Sequence, residues 1–145
     1  MLRNFVWITT IVLLICLPAA IVVATESVVT VPSDNWELVG DLALADSDEP
    51  SPAVLMLNKA AGDRTDYVTM ARALIDRGIA TLRLDLRGHG ESTNLGTFVP
   101  GKLNPDPMIW DADQDVVAAM QYLQGHRRIN PDRIAVVGGS YSGEE

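Results

Sequence analysis

The chain has 145 residues, 48% of them apolar and 21% charged, which fits one globular domain and excludes a disordered or fibrous protein. Nineteen acidic residues against eleven basic ones leave a net charge of -8, which argues against a protein that tracks nucleic-acid phosphates, because that task needs clustered Lys and Arg. The single cysteine, Cys16, lies in the N-terminal apolar stretch, so the rest of the chain has no thiol for a disulfide, a Cys-ligated metal or a nucleophile.

Residues 1–24 differ in kind from residues 25–145. Arg3 supplies a positive start, residues 5–17 are uncharged, and Pro18 leads into a small-residue exit ending Val22-Val23-Ala24. That order predicts a secretory signal peptide and an extracytoplasmic protein. The alternative is an uncleaved membrane anchor, since residues 5–24 come close to the ~20 residues of a spanning helix. Residues 25–145 then form the folded part.

Residues 26–35 read as an irregular leader. Residues 36–44 read as strand, with Gly40-Asp41 allowing a bend or hairpin. After the polar turn at 46–52, the continuous apolar run at 53–57 predicts a strand buried on both faces. Residues 58–65 are a loop. From Asp66 the spacing turns helical, with Tyr67, Met70, Ala71, Leu74 and Ile75 in register and Gly78 as the stop. Strand signal returns at 79–86, is broken by Arg87-Gly88-His89-Gly90, and gives way to a long loop holding Pro100, Gly101, Pro105 and Pro107. A second helix starts near Asp111 or Asp113, with Val116, Val117, Met120 and Leu123 on one stripe. Asn130-Pro131-Asp132 is a turn, and residues 133–137 are another buried strand. Strands alternating with amphipathic helices imply an α/β fold, a mostly parallel sheet covered on both faces. Chemistry in such sheets gathers at the carboxyl ends of the strands, where Asn58-Lys59-Ala60, residues 85–90 and Ser140 all fall.

The last of these strands runs into Gly138-Gly139-Ser140-Tyr141-Ser142-Gly143. A serine raised on a sharp strand-to-helix turn needs small residues two before and two after it, and Gly138 and Ser142 supply them. The segment resembles the G-x-S-x-G nucleophile elbow of the α/β-hydrolase fold. Its form is similar to the elbow of cocaine-esterase-like and X-prolyl-dipeptidase-like hydrolases. Leu84-Asp85-Leu86-Arg87-Gly88-His89-Gly90-Glu91-Ser92 likewise looks like the D-x-R-G-x-G-x-S segment of many α/β-hydrolases, and Asp132 to Gly138 resembles the strand that leads into the elbow. The resemblance spans residues 36–145 and points to the dienelactone-hydrolase-like and esterase/peptidase branches. The dienelactone type carries Cys at the position of Ser140.

The resemblance implies a serine hydrolase acting on an ester, thioester or small amide through an acyl-enzyme on Ser140, with no metal or organic cofactor. It assigns two oxyanion donors, the backbone N–H of Tyr141 and that of Ala60. Asn58 could offer its side-chain amide instead, or serve only to form the turn. In this fold the acid and the histidine of the triad follow the serine along the chain, so His89 is read as a loop residue and His126 as part of a solvated helix end. The acid and base are accordingly expected beyond Glu145, in a chain truncated after the elbow and inactive by itself. Two other classes remain: a non-catalytic binding protein on a hydrolase scaffold, and a dinucleotide-binding oxidoreductase, whose G-x-G-x-x-G would need Gly where Ser140 stands.

Overall fold

A computed structural model describes residues 25–99 and 107–140. The predicted signal segment at 1–24, the Pro100 to Pro105 part of the long loop, and Tyr141 to Gly143 of the elbow lie outside the described residues. Among the described residues, no helix is long and apolar enough to cross a membrane.

Among the described residues, five strands form one sheet: β1 (Thr25–Ser33), β2 (Trp36–Leu44), β3 (Ser51–Leu57), β4 (Ala80–Leu84) and β5 (Ile129–Gly138). The described residues also form α1 (Val68–Ile75), α2 (Pro107–Trp110) and α3 (Ala112–Gln124), and a 3-10 turn at Arg64–Tyr67 precedes α1. The spatial order is β1-β2-β4-β3-β5. β1 and β2 are antiparallel, as are β2 and β4, whereas β3 runs parallel to both β4 and β5. The sheet is thus mixed, and its parallel part is the part that ends at the predicted site.

β3 shows why the helices take both faces. Ala53, Leu55 and Leu57 pack with Leu38, Leu82, Leu84 and Leu86 under Ala119 and Leu123 of α3. Val54 and Met56 point the other way, against Ala71 and Leu74 of α1. The two-residue period of a strand therefore loads each face with its own helix, as the apolar run at 53–57 predicts. α1 ends as its sequence anticipates: Gly78 has φ +75, and Gly78 N and Ile79 N donate to the carbonyls of Ile75 and Leu74. That is a Schellman closure, which needs the left-handed conformation glycine adopts at little cost.

Several expectations are corrected. Residues 26–35 are not an irregular leader. They form most of β1 and a two-residue hairpin whose first turn residue, Asp34, has φ +50. β1 is an edge strand burying only Val31 and Ser33, so its pattern is weak, and Pro32 is tolerated because an outer edge needs no ladder donor there. Gly40-Asp41 is no bend but the middle of β2, where Gly40 lets Leu82 and the Arg83 carbonyl approach closely. In α3 the buried stripe is Ala112, Asp115, Ala119 and Leu123, and Val117 faces solvent. The Asn130-Pro131-Asp132 turn exists as an outward bulge within β5: Ser51 pairs with Ile129 but Ala53 with Ile134, and Asn130 Oδ1 accepts from Asp132 N at 3.0 Å.

Candidate active site

Three loops meet at the carboxyl ends of β3, β4 and β5. Ser140 follows β5 by two residues, is exposed, and has φ +62. A left-handed backbone at a non-glycine residue costs on the order of 1–3 kcal/mol and persists only where its surroundings impose it. The imposing frame is visible. Gly138 is paired with Leu57 at the end of the parallel β3–β5 ladder, and β5 ends there. Gly139 supplies the room: a Cβ there would stand 3.0 Å from the Tyr67 hydroxyl and 3.4 Å from Lys59 Cγ. Tyr67 and Lys59 therefore flank the turn. The sequence shows Tyr67 only as a helix-face residue. Lys59 also pairs with Asp66, Nζ to Oδ1 at 3.5 Å.

The loop after β3 carries Ala60. Asn58 is fully buried, and its side chain is spent on structure. Its Oδ1 accepts from Leu86 N at 2.8 Å, and its Nδ2 donates to the Lys59 carbonyl at 2.9 Å and the Gly62 carbonyl at 3.3 Å. Of the two roles open to Asn58, turn formation is the one its contacts serve. Gly62 N also donates to the Lys59 carbonyl at 2.9 Å, closing a four-residue turn. In a trans peptide the C=O and N–H point in opposite directions. With the Lys59 carbonyl drawn inward, the Ala60 N–H of the same peptide unit is directed away from these anchors.

The segment after β4 is the most heavily bonded part of the region. The Asp85 carboxylate, 0% exposed, accepts from Arg64 N, Arg64 Nη1 and Glu91 N. Gly90, with φ +48, passes so close that a Cβ would overlap that carboxylate. Ser92 Oγ donates to the Asp85 carbonyl at 2.7 Å and accepts from Val39 N at 2.8 Å, tying the segment back to β2. Arg87 lies on the other side. Its Nε and Nη2 donate to Asp115 at 2.7–3.1 Å, its backbone N does so at 2.8 Å, and Ser33 Oγ donates to the same carboxylate at 2.7 Å. Burial works against both guanidinium charges, yet the hydrogen bonds and attraction of Asp85 and Asp41 for Arg64, and of Asp115 and Asp34 for Arg87, raise both pKa values above the usual arginine range. Reading the sequence missed Arg64 and Asp115. Asp115 was detectable, because an acid on the buried stripe of a helix requires a cationic partner.

Neither histidine stands ready to serve Ser140. His89 is buried with Nδ1 3.0 Å from the Arg87 carbonyl and Nε2 3.0 Å from the Ala60 carbonyl, its ring stacked on Phe98. His126 precedes β5 at its amino end, whereas Ser140 follows its carboxyl end, and the ends of β5 pair with Ser51 and Leu57 of β3, roughly 20 Å apart at ~3.3 Å per residue. Burial first, and then Arg127 and Arg128, lower the pKa of His126. A pocket of about 470 Å³ between α1 and β1–β2–β4 contains Thr65, Arg72 and Arg83 but none of the predicted site residues. Among the described residues, no group of three or more His, Cys, Asp or Glu side chains is placed to hold a metal ion.

Comparison with known proteins gives this geometry a family. Two curated relatives, uncharacterized proteins from two strains of Mycobacterium tuberculosis, are each 32% identical over 122 residues, covering 84% of this chain and 40% of their own length. The chain thus spans well under half of these relatives. Acetyl xylan esterase 1 from Thermoanaerobacterium sp. superposes with a TM-score of 0.70 at 16% identity, over 88% of this chain and 44% of that one. Est1E from Butyrivibrio proteoclasticus, with ferulic acid bound, gives 0.66 at 21% identity, over 79% and 43%. A 2,6-dihydroxy-pseudo-oxynicotine hydrolase gives 0.62 at 24% identity, over 84% and 31%. At these identities the superpositions establish the fold. The sequence model of the X-Pro dipeptidyl-peptidase (S15) family matches residues 34–144, and the chain, with its α/β-hydrolase fold, belongs to that family.

Proposed function

We propose that the protein is a serine hydrolase that cleaves an ester, thioester or small amide through an acyl-enzyme on Ser140. The observation that carries this reading is the exposed, left-handed Ser140 just past the parallel strand β5. Strain held at an exposed hydroxyl is a mark of function. Ser140 Oγ adds to the carbonyl carbon of the substrate while its proton passes to a base. The tetrahedral oxyanion collapses, and the alcohol, thiol or amine leaves with that proton. Water then repeats the sequence on the acyl-enzyme and releases the acid.

The Ala60 N–H, aimed away from the anchored Lys59 carbonyl, and the Tyr141 N–H serve as oxyanion donors. Removing one such donor costs about 3–4 kcal/mol of barrier. Because His89 and His126 are engaged elsewhere, the base and its orienting acid come from chain beyond Glu145. Residues 1–145 alone are then inactive, and the 40% coverage of the curated relatives leaves ample chain for both groups. Residues 1–24 direct the protein out of the cytoplasm, and N-terminal sequencing of the exported form would show whether they are removed.

The test uses the full-length protein, a fluorophosphonate probe and p-nitrophenyl acetate. Wild type is labelled and turns over, and Ser140→Ala loses labelling and at least about 10³-fold of kcat. Equal labelling of both proteins would sink the assignment.

A further inference from the structure

Ala60 is held on both sides. The Lys59 carbonyl accepts from Asn58 Nδ2 and Gly62 N, and the Ala60 carbonyl lies 3.0 Å from His89 Nε2. Each carbonyl belongs to a planar peptide unit. The first of these units carries the Ala60 N–H, and the second, on the far side of the same Cα, is held by His89, so the two anchors together keep Ala60 in place. His89 is anchored independently of that loop. Its Nδ1 faces the Arg87 carbonyl at 3.0 Å, its ring is stacked on Phe98 with centroids 4.7 Å apart, and 5% of it is exposed. A carbonyl can only accept and a neutral imidazole has a single N–H, so the tautomer that bonds Ala60 carries its proton on Nε2, and stacking and burial rather than Nδ1 then anchor the ring.

We propose that His89 is a positioning residue for acyl transfer on Ser140: by donating from Nε2 to the Ala60 carbonyl, it pins the far side of Ala60 and so holds in place the loop whose Ala60 N–H meets the developing oxyanion. The inference rests on the serine-hydrolase reading. His89 acts through Ala60 and takes no proton from Ser140. A buried, stacked ring with two rotatable bonds is a stiff strut. It transmits the rigidity of the segment after β4 to the loop after β3, on which the oxyanion donor sits.

Three variants of the full-length protein separate this role from a purely structural one. His89→Phe keeps the ring and its stacking but has no donor. His89→Gln can place an amide N–H near the Nε2 position, whereas His89→Asn can place one only near Nδ1, where it serves the Arg87 carbonyl alone. On p-nitrophenyl acetate, Phe and Asn are expected to lower kcat about 10–100-fold with KM within about threefold, because a misaimed donor loses part of what a deleted one loses. Gln is expected to recover most of kcat, and the order of the variants should not follow their melting temperatures. The proposal is overturned if Gln is no better than Asn, if the kcat losses track the loss of melting temperature, or if the loss appears in KM alone. Where the Phe variant does not fold, the comparison of Gln with Asn decides. Failure of the underlying reading shows separately, in wild type that the fluorophosphonate does not label.

Discussion

The turn after β4 and the turn after β5 lie at the same end of the sheet, on either side of β3, and are built in opposite ways. Between Asp85 and Ser92 nearly every polar group is bonded inward: two fully buried carboxylates, two arginines, a serine and a histidine pin the segment to β2, α3 and the loop after β3. At the end of β5 few side chains bond inward: Gly139 passes beside Tyr67 and Lys59, and Ser140 follows with a left-handed backbone. The first turn uses charge to build rigidity, and the second sets Ser140 in a left-handed backbone. A site of this kind needs both, because a strained backbone stays strained only while its neighbours do not yield.

The contrast predicts very different responses to substitution, and the largest falls on the pinned turn. Asp115→Ala leaves the Arg87 guanidinium buried without its main partner, and should destabilise the full-length protein by about 3–5 kcal/mol in denaturant unfolding. A loss below about 1 kcal/mol would mean that Asp34 and Asp111, at 3.5 and 4.0 Å, compensate for it. Gly90→Ala comes next. It forces an alanine into φ +48 and against the Asp85 carboxylate, with an expected cost of about 2–3 kcal/mol. If the melting temperature is unchanged, the close approach of Gly90 to Asp85 is not a constraint. The smallest effect belongs to the exposed turn and has the opposite sign. Ser140→Gly should melt higher than Ser140→Ala by about 1 kcal/mol, since only glycine relieves a left-handed φ. Equal stability would remove the strain argument for Ser140.

The order of the motifs was legible in the sequence. The apolar run at 53–57 and the Gly-rich turn after 133–137 mark the strand positions, and these place Ala60, residues 85–90 and Ser140 at one end of the sheet. Harder to read were the elements whose residues have weak periodicity. β1 buries only two side chains and so leaves little pattern, and the buried face of α3 is rotated away from Val117 toward Asp115.

What the sequence determined by itself is local. Alternation in β3, the glycine stop of α1 and the small residues around Ser140 each express a backbone preference that neighbouring residues carry with them. What only the tertiary structure decided is partnership across long separations. Arg64 meets Asp85, Arg87 meets Asp115 and His89 meets Ala60 across 21 to 29 positions of chain. A buried charge announces that it needs a countercharge, but it does not say which one. The choice falls to whichever group the packed strands and helices bring within hydrogen-bonding distance.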